Sequence, residues 1–470
     1  GLMNMIEGEI QTTQRIILVD DIINSGNSFW RQIEVLEELG FKVEEVWAIL
    51  RFRNFEQYKR FENRGITVSS LFCLDDFSES LGPSISNMGI VDMQTPTKVF
   101  SSQWVFKSAK PSYNWVVNKS QPVIDEDKIY FGTDNETFWA LNQHDGSVIW
   151  KHTVGSAVHK KSIFSNPALH GELVIFGSYD GNVYALNKNT GMQKWVSFEA
   201  DWVGSSPTVA SELNLVFIGL EYGLFQKHGG IVALNADTGK TVWCDSSHPA
   251  YTHSSPLYIE KHKQVVIGSN DGVVRMYGAE NGDKIWEFTT FGGASYDTKT
   301  DSGFGEGDIK ESLVYDATHD YLIFGSLDCF LYILDRKTGH LVHHYKCNFG
   351  IWSTPFLYNK CVYFASLDKS VRALDLDTFK LLFEKNIDST RIFSSPMIIN
   401  DLLYIGTNAG RLHELDPKTG EKLSSFQTRE RITNHVVYNA KTDTYFLPTY
   451  ANEIIALTKN RISNAGAPNQ

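Results

Sequence analysis

Cysteine is scarce in this chain. Five occur in 470 residues (Cys73, Cys244, Cys329, Cys347 and Cys361). They are odd in number, scattered, and contain no C-x-x-C pair, which argues against a disulfide framework or a zinc knuckle. Positive charge is also in deficit. Lys plus Arg total 43 against 55 for Asp plus Glu, a formal net charge of -12. Such a balance disfavours bulk nucleic-acid binding and adhesion to an anionic membrane. No apolar run approaches the roughly 18 residues of a membrane helix, so none is expected. The first residues lack the basic start and apolar core of a signal peptide. Together these absences predict a reduced, cytoplasmic protein with no membrane association.

Proline is held to 13 residues, whereas glycine reaches 36 and aromatics 13%. That mixture fits short strands joined by glycine turns, and excludes collagen, general disorder and a coiled coil.

The first eighty residues carry one compact motif. Arg15 to Ser28 reads RIILVDDIINSGNS. Ile16 to Val19 is an apolar run of the kind expected of a strand buried on both faces. Asp20 and Asp21 end it, and Asn24, Ser25, Gly26, Asn27 and Ser28 form a small-residue loop. A helix follows, with Phe29, Ile33, Leu36 and Leu39 on one face, Ser28 as N-cap and Gly40 as stop. Backbone N–H groups of a glycine loop at a helix N-terminus suit a phosphate. Paired acids at the carboxyl end of a strand can accept from ribose hydroxyls. A strand over Val43–Phe52, a helix over Asn54–Arg64 stopped by Gly65, and a strand over Ile66–Leu74 are predicted next.

This stretch resembles the phosphoribosyl-pyrophosphate motif of type I phosphoribosyltransferases, with the usual Thr-Thr-Gly replaced by Asn24-Ser25-Gly26. The element order looks most like the second half of orotate phosphoribosyltransferases. The resemblance implies that Asp20, Asp21, Asn24, Ser25, Gly26, Asn27 and Ser28 bind phosphoribosyl pyrophosphate, or another nucleotide, with magnesium. Only about fourteen residues precede the motif strand, so the family's first half is absent. Catalysis would need that half from a longer chain or a partner.

The remaining residues repeat. DGSVIW at 145–150 recurs as TGMQKW at 190–195, TGKTVW at 238–243 and NGDKIW at 281–286. With Trp104 in front, the Trp spacings are 46, 45, 48 and 43. Later copies at Thr338, Thr378 and Thr419 keep the frame without the Trp. A Ser-x-Pro frame opens the units at Ser165, Ser205, Ser254, Ser353 and Ser394. A glycine closes the second strand at Gly132, Gly177, Gly219, Gly268, Gly325 and Gly406. Turns such as Asp180-Gly181 and Asp271-Gly272 join the strands. Four strands every 40–50 residues mean a β-propeller. Seven units are complete and an eighth, from Asn434 to Lys459, supplies three strands. The orphan strand around Gln103–Lys107 is expected to complete it and close the ring.

The Ala-Leu-Asn-Ala-Asp-Thr-Gly-Lys-Thr-Val-Trp stretch ending at Trp243 resembles the tryptophan-docking repeat of pyrroloquinoline-quinone-type propellers, in which each Trp packs between blades. Quinone-dependent dehydrogenases of that type resemble one another in an adjacent cysteine pair, which this chain lacks, so the quinone cofactor is not expected. The resemblance extends to non-catalytic scaffolds. The expected fold is mainly β: an eight-bladed propeller at 101–460, preceded by an α/β piece at 1–80 and a linker at 81–100, and followed by a disordered tail at 461–470.

The connections into each blade's first strand should meet at the ring axis. They bring Trp115, Lys160, Lys161, Phe164, Trp202, Tyr251, His253, Trp352, Arg391, Phe393 and Arg431 together. These either pack the ring centre or form an aromatic and basic funnel for a protein, a peptide or an anionic small molecule. Two insertions, Leu220–Gly230 and Phe291–Glu311, interrupt the repeat. The second carries Asp297, Asp301, Glu306 and Asp308 without a recognised calcium spacing, so no metal site is assigned. His343 and His344 alternate faces and cannot share one metal. The expected function is a non-catalytic propeller binding module attached to a phosphoribosyl-compound-binding piece. The alternatives are a phosphoribosyltransferase completed from outside and a quinone-dependent dehydrogenase.

Overall fold

The computed structural model describes residues 16–23, 26–38, 40–51, 58–73, 99–108, 120–155, 162–224, 226–295 and 307–460. The chain divides into two compact units, residues 1–97 and 98–470. The expected linker lies almost wholly outside the described residues, as does the expected tail at 461–470.

In the first unit, β1 (Ile16–Ile23), α1 (Asn27–Glu38), β2 (Val43–Arg51), α2 (Lys59–Glu62) and β3 (Thr67–Cys73) alternate. The strands form a parallel sheet in the order β1-β2-β3. Phe29, Ile33 and Leu36 of α1 are buried with Val46, Ala48 and Phe61 in one apolar core. Gly40 and Gly65 close the helices at φ +86° and +74°. Their N–H groups donate to Glu37 and Glu62 carbonyls. One expectation is corrected. The strand at Ile16–Val19 is not covered on both faces: Ile17 and Val19 are 45% and 66% exposed, because the helices supply a core to one side of the sheet only. The described helix predicted over Asn54–Arg64 is the single turn of α2, with residues 52–57 outside the described set.

The second unit is a ring of eight four-stranded antiparallel sheets. Blades I to VII span 123–153, 168–198, 208–248, 257–289, 314–346, 356–386 and 397–427. Blade VIII takes three strands from 437–459 and its outermost from β4 (Phe100–Lys107), which pairs antiparallel with Glu453–Lys459. The predicted closure is thus present, and it leaves the ring with no unpaired blade.

Two devices, repeated around the ring, join neighbouring blades. At the rim, the indole N–H of Trp104, Trp150, Trp195, Trp243 and Trp286 donates to a carbonyl of the next blade at 2.8–3.0 Å. Each ring also lies flat against the glycine of the next Thr-Gly-type turn. A Cβ on Gly282 would meet Trp243 at 2.6 Å, and the residue sits at φ +73°. Glycine is therefore required twice over, by conformation and by space. Between blades V and VI the pair is exchanged: His343 replaces the Trp and Phe379 replaces the glycine. The two rings stack 4.6 Å apart at 10°. His344 packs against Phe291 and Phe330, and its ring centroid stays 6.2 Å from that of His343, so the two rings are not separated as fully as strand alternation suggested.

Nearer the axis, the serine opening each Ser-x-Pro frame is buried, and Ser205 and Ser394 bond in two directions. Ser205 Oγ accepts from Gly219 N–H of its own blade at 2.9 Å and donates to Ser254 O of the next at 2.9 Å. Ser394 does the same toward Gly406 and Asn434. The following residue adds a parallel link: Asn166 N–H to Ser206 Oγ, Ser206 N–H to Ser255 Oγ, Thr354 N–H to Ser395 Oγ. The frame is a circumferential hydrogen-bond belt. The glycine ending each second strand has its own reason. A Cβ on Gly132, Gly268, Gly325 or Gly406 would strike Ile163, Ile309, Ile351 or Ile432 of the incoming segment.

A charged clasp also crosses the V–VI seam. His319 Nδ1 lies 2.5 Å from Asp316 and Nε2 lies 2.7 Å from Asp377 of the next blade. Hydrogen bonds to Asp316 and then Asp377 raise its pKa above the ordinary 6.5. The folded state thus binds this proton more tightly than the unfolded one. Its contribution is complete below pH 6.5 and is lost as pH rises through the folded value. The His319→Gln variant is expected to lose the part of the wild-type decline in melting temperature above that pH. Identical pH profiles for the two proteins would contradict the clasp.

Candidate functional site

The incoming segments run in extended conformation, so alternate residues face opposite ways. Two residues before the frame position, which is serine in five blades, Glu311 in blade V and Asn434 in blade VIII, Ile163, Val203, Thr252, Ile309, Ile351, Ile392 and Ile432 are all buried. The residue immediately before it turns to the axis: Phe164, Gly204, His253, Lys310 and Trp352 line one central cavity of about 620 Å³. The same position in successive blades thus contributes to the inner wall, mounted on the belt.

The sequence-predicted funnel is partly assembled there. Trp202, Tyr251, His253 and Trp352 line the cavity. Phe393 stands behind the wall, its ring 5.4 Å from that of Trp352. Arg391 is turned aside over Phe349, 4.9 Å from its ring, and Arg431 covers Tyr450 at 4.1 Å. Trp115, Lys160 and Lys161 lie outside the described residues. The basic character expected of the funnel is thus not what the described wall presents. Lys310 faces the cavity, but its ammonium is bonded to buried Asp308 at 2.6 Å.

Three groups escaped the sequence reading. Glu221 belongs to the first insertion, which extends the second and third strands of blade III into the long hairpin Leu215–Tyr222 and His228–Asn235. Its backbone exchanges hydrogen bonds with Trp202. Its carboxylate Oε1 accepts from Gly204 N–H at 3.0 Å and lies 3.2 Å from His253 Nδ1. Beside it, Tyr179 is pushed well above the ordinary phenol pKa, by burial first and then by Glu221, and stays a neutral donor. His435, deep in the cavity, is held neutral by burial, its pKa pushed down to about 4.

In the α/β unit, β1 runs on to Ile23, so Asp20 and Asp21 lie within the strand and do not end it as expected; Asp20 is half-buried and Asp21 exposed, and Asp21 N–H donates to Asp20 Oδ1 at 2.9 Å. Gly26 opens α1 at φ +71°. A Cβ there would strike Phe61 at 2.8 Å and approach an Arg60 guanidinium nitrogen at 3.4 Å. Arg60, stacked over Trp30 at 5.0 Å, is a cation near the loop that the motif did not announce. Asn24 and Ser25 lie outside the described residues, and the side chains of Asn27 and Ser28 are not described. Among the described residues no three His, Cys, Asp or Glu side chains gather to hold a metal ion.

The blade count, the docked tryptophans and the axial cavity define an eight-bladed propeller of the pyrroloquinoline-quinone repeat type. The sequence profile of outer membrane protein assembly factor BamB matches residues 91–257 and 270–444, and the chain belongs to that family. The BamB of Shewanella oneidensis is 22% identical over 337 residues, covering 62% of this chain and 82% of that protein. The crystal structure of BamB from Moraxella catarrhalis has the same fold, with a TM-score of 0.61 at 17% identity, covering 77% of this chain and 100% of that one. The N-terminal region is similar to the orotate phosphoribosyltransferase of Cytophaga hutchinsonii, 31% identical over 97 residues. That match covers 21% of this chain and 45% of the enzyme, less than half its length.

The cytoplasmic expectation is overturned. Several relatives are outer membrane protein assembly factors, which points to the cell envelope. Few cysteines limit disulfides but do not report an address.

Proposed function

We propose that this chain is a binding scaffold of the cell envelope whose propeller recognises a protein partner at the cavity face, in the assembly of outer membrane proteins. The observation that carries the reading is the division of labour around the axis. The belt fixes the ring, and the adjoining position varies from blade to blade as Phe164, Gly204, His253, Lys310 and Trp352, around a cavity of about 620 Å³. A recognition surface needs such freedom on a rigid support. The names of the BamB relatives supply the partner class. Surface plasmon resonance against a denaturant-unfolded outer membrane β-barrel protein is expected to show saturable binding. Trp352→Phe should weaken it several-fold while the protein stays folded. No saturable binding by the wild type would overturn the reading.

A second reading concerns the α/β unit, and the orotate phosphoribosyltransferase similarity favours it. The loop opening α1, with Asp20, Asp21 and nearby Arg60, binds a phosphoribosyl compound with magnesium. Binding is proposed and transfer is not, since the similarity spans less than half of the enzyme. Calorimetric titration with phosphoribosyl pyrophosphate and magnesium should give heat that Asp20→Asn/Asp21→Asn abolishes. Absence of heat in the wild type, or its persistence in the variant, would remove this reading.

A further inference from the structure

The wall of the cavity on blade III is built differently from the rest. The axis-facing position there is Gly204, and the space its Cβ would enter holds Glu221 Oε1 and Tyr179 Cε1, each 2.7 Å away. The carboxylate that fills this niche is only 3% exposed. Its backbone is fixed on both sides by Trp202, and Oε1 is held by Gly204 N–H and His253 Nδ1. None of these partners brings a fixed positive charge.

Aromatic rings surround it. Trp202 and Tyr251 stand at 88° with centroids 6.1 Å apart. Tyr251 meets His253 at 6.0 Å, whereas Trp352, elsewhere on the cavity wall, has the Lys310 ammonium 5.7 Å from its ring centroid. Lys310 is the Lys or Arg among the described residues lining this space, and Asp308, bonded to it at 2.6 Å, offsets its charge. A second carboxylate, Glu311, lines the cavity as well. Moreover, Lys227 of the same insertion sits 4.7 Å from the Tyr251 ring centroid, so the cluster already attracts a cation from its own chain. A carboxylate at low exposure beside perpendicular electron-rich faces is the arrangement that attracts organic cations.

We propose that the blade III wall is a recognition site for an organic cation, an alkylammonium or guanidinium group, held by Glu221 and the rings of Trp202 and Tyr251. This deepens the scaffold reading and rests on it, for it names the chemistry that the partner presents at the axis. The same chemistry is offered by a free small cation and by a Lys or Arg side chain of a peptide.

The test is calorimetric titration of the full chain with tetramethylammonium chloride, with Nα-acetyl-arginine amide, and with the peptide acetyl-Gly-Arg-Gly-amide. Nα-acetyl-glutamate amide serves as the anionic control. Saturable binding of the cations and none of the control is expected. Tighter binding of the peptide than of the free cations identifies a side chain as the natural ligand, and the reverse order a small molecule. Either order supports the cage. Glu221→Gln keeps an acceptor for Gly204 and His253 while removing the charge, and should weaken cation binding at least tenfold. Should that variant lose the fold, Trp202→Phe is expected to weaken binding several-fold at an unchanged melting temperature. Absence of saturable cation binding, equal binding of the anion, or full affinity in a folded Glu221→Gln variant would overturn the proposal. If unfolded β-barrel protein still binds while the cations do not, the cage fails and the scaffold reading stands.

Discussion

Replacing Gly282 by valine is expected to lower stability by about 2–5 kcal/mol, the sum of a side chain forced into left-handed backbone and of overpacking. The substituted Cβ would lie 2.6 Å from Trp243 at φ +73°. The exchanged seam makes the argument sharper. At Phe379 the backbone is also left-handed, at φ 54°, yet a large ring is present because its partner is His343 and not Trp. His343→Trp alone should destabilise by clashing with Phe379, and Phe379→Gly alone by losing the stack. The double variant rebuilds the Trp–Gly pair of the other seams. It should recover most of the loss, with a coupling of roughly 2 kcal/mol in a denaturation double-mutant cycle. Additive losses would show that the two residues do not compensate one another.

The second large effect is expected at the belt. Ser205→Ala removes the acceptor for Gly219 N–H and the donor to Ser254 O, both in the interior. Leaving buried backbone groups unmet costs about 1–3 kcal/mol each, so a total near 2–4 kcal/mol is expected. Ser247→Ala is the control: that hydroxyl is exposed and donates to Asp245 two residues away on the outer strand of blade III, and its loss should cost under about 0.5 kcal/mol. Chemical denaturation of the two variants measures both. Equal losses would mean that the frame serines are not what joins the blades.

The ring was legible in the sequence because its cause is periodic. The Trp-docking frame, the Ser-x-Pro frame and the strand-closing glycine each recur at blade spacing, and each answers to a repeated contact: ring on glycine, hydroxyl between blades, Ile into the glycine gap. The closure by Phe100–Lys107 was legible for the same reason, since a unit short of one strand needs one from elsewhere. The cavity chemistry was less so. Trp202, Tyr251, His253 and Trp352 were found by their offset from the frame, but the offset alone does not tell which side chains reach the axis. Arg391 and Phe393 stand at equivalent offsets, yet one folds back onto Phe349 and the other backs Trp352. Glu221 was hidden because it belongs to an insertion. Only the hairpin register, Glu221 opposite Gly229, and the empty place at Gly204 bring it inward. In the α/β unit, the apolar run at Ile16–Val19 predicted burial on both faces because hydrophobicity reports what a strand tolerates, not what covers it.

The position of β4 in the chain has a consequence for how the protein comes into being. The strand that completes blade VIII is made first, and its partner Glu453–Lys459 is made about 350 residues later. At the usual ribosomal pace of about 5–20 residues per second, roughly 20 to 70 s separate the two. Throughout that interval β4 has no partner to pair with and the growing row of blades has an open end. Synthesis therefore passes through a window of vulnerability to mispairing and proteolysis that shuts in a single late event. A slowed ribosome or a truncated transcript would lengthen it or leave it open.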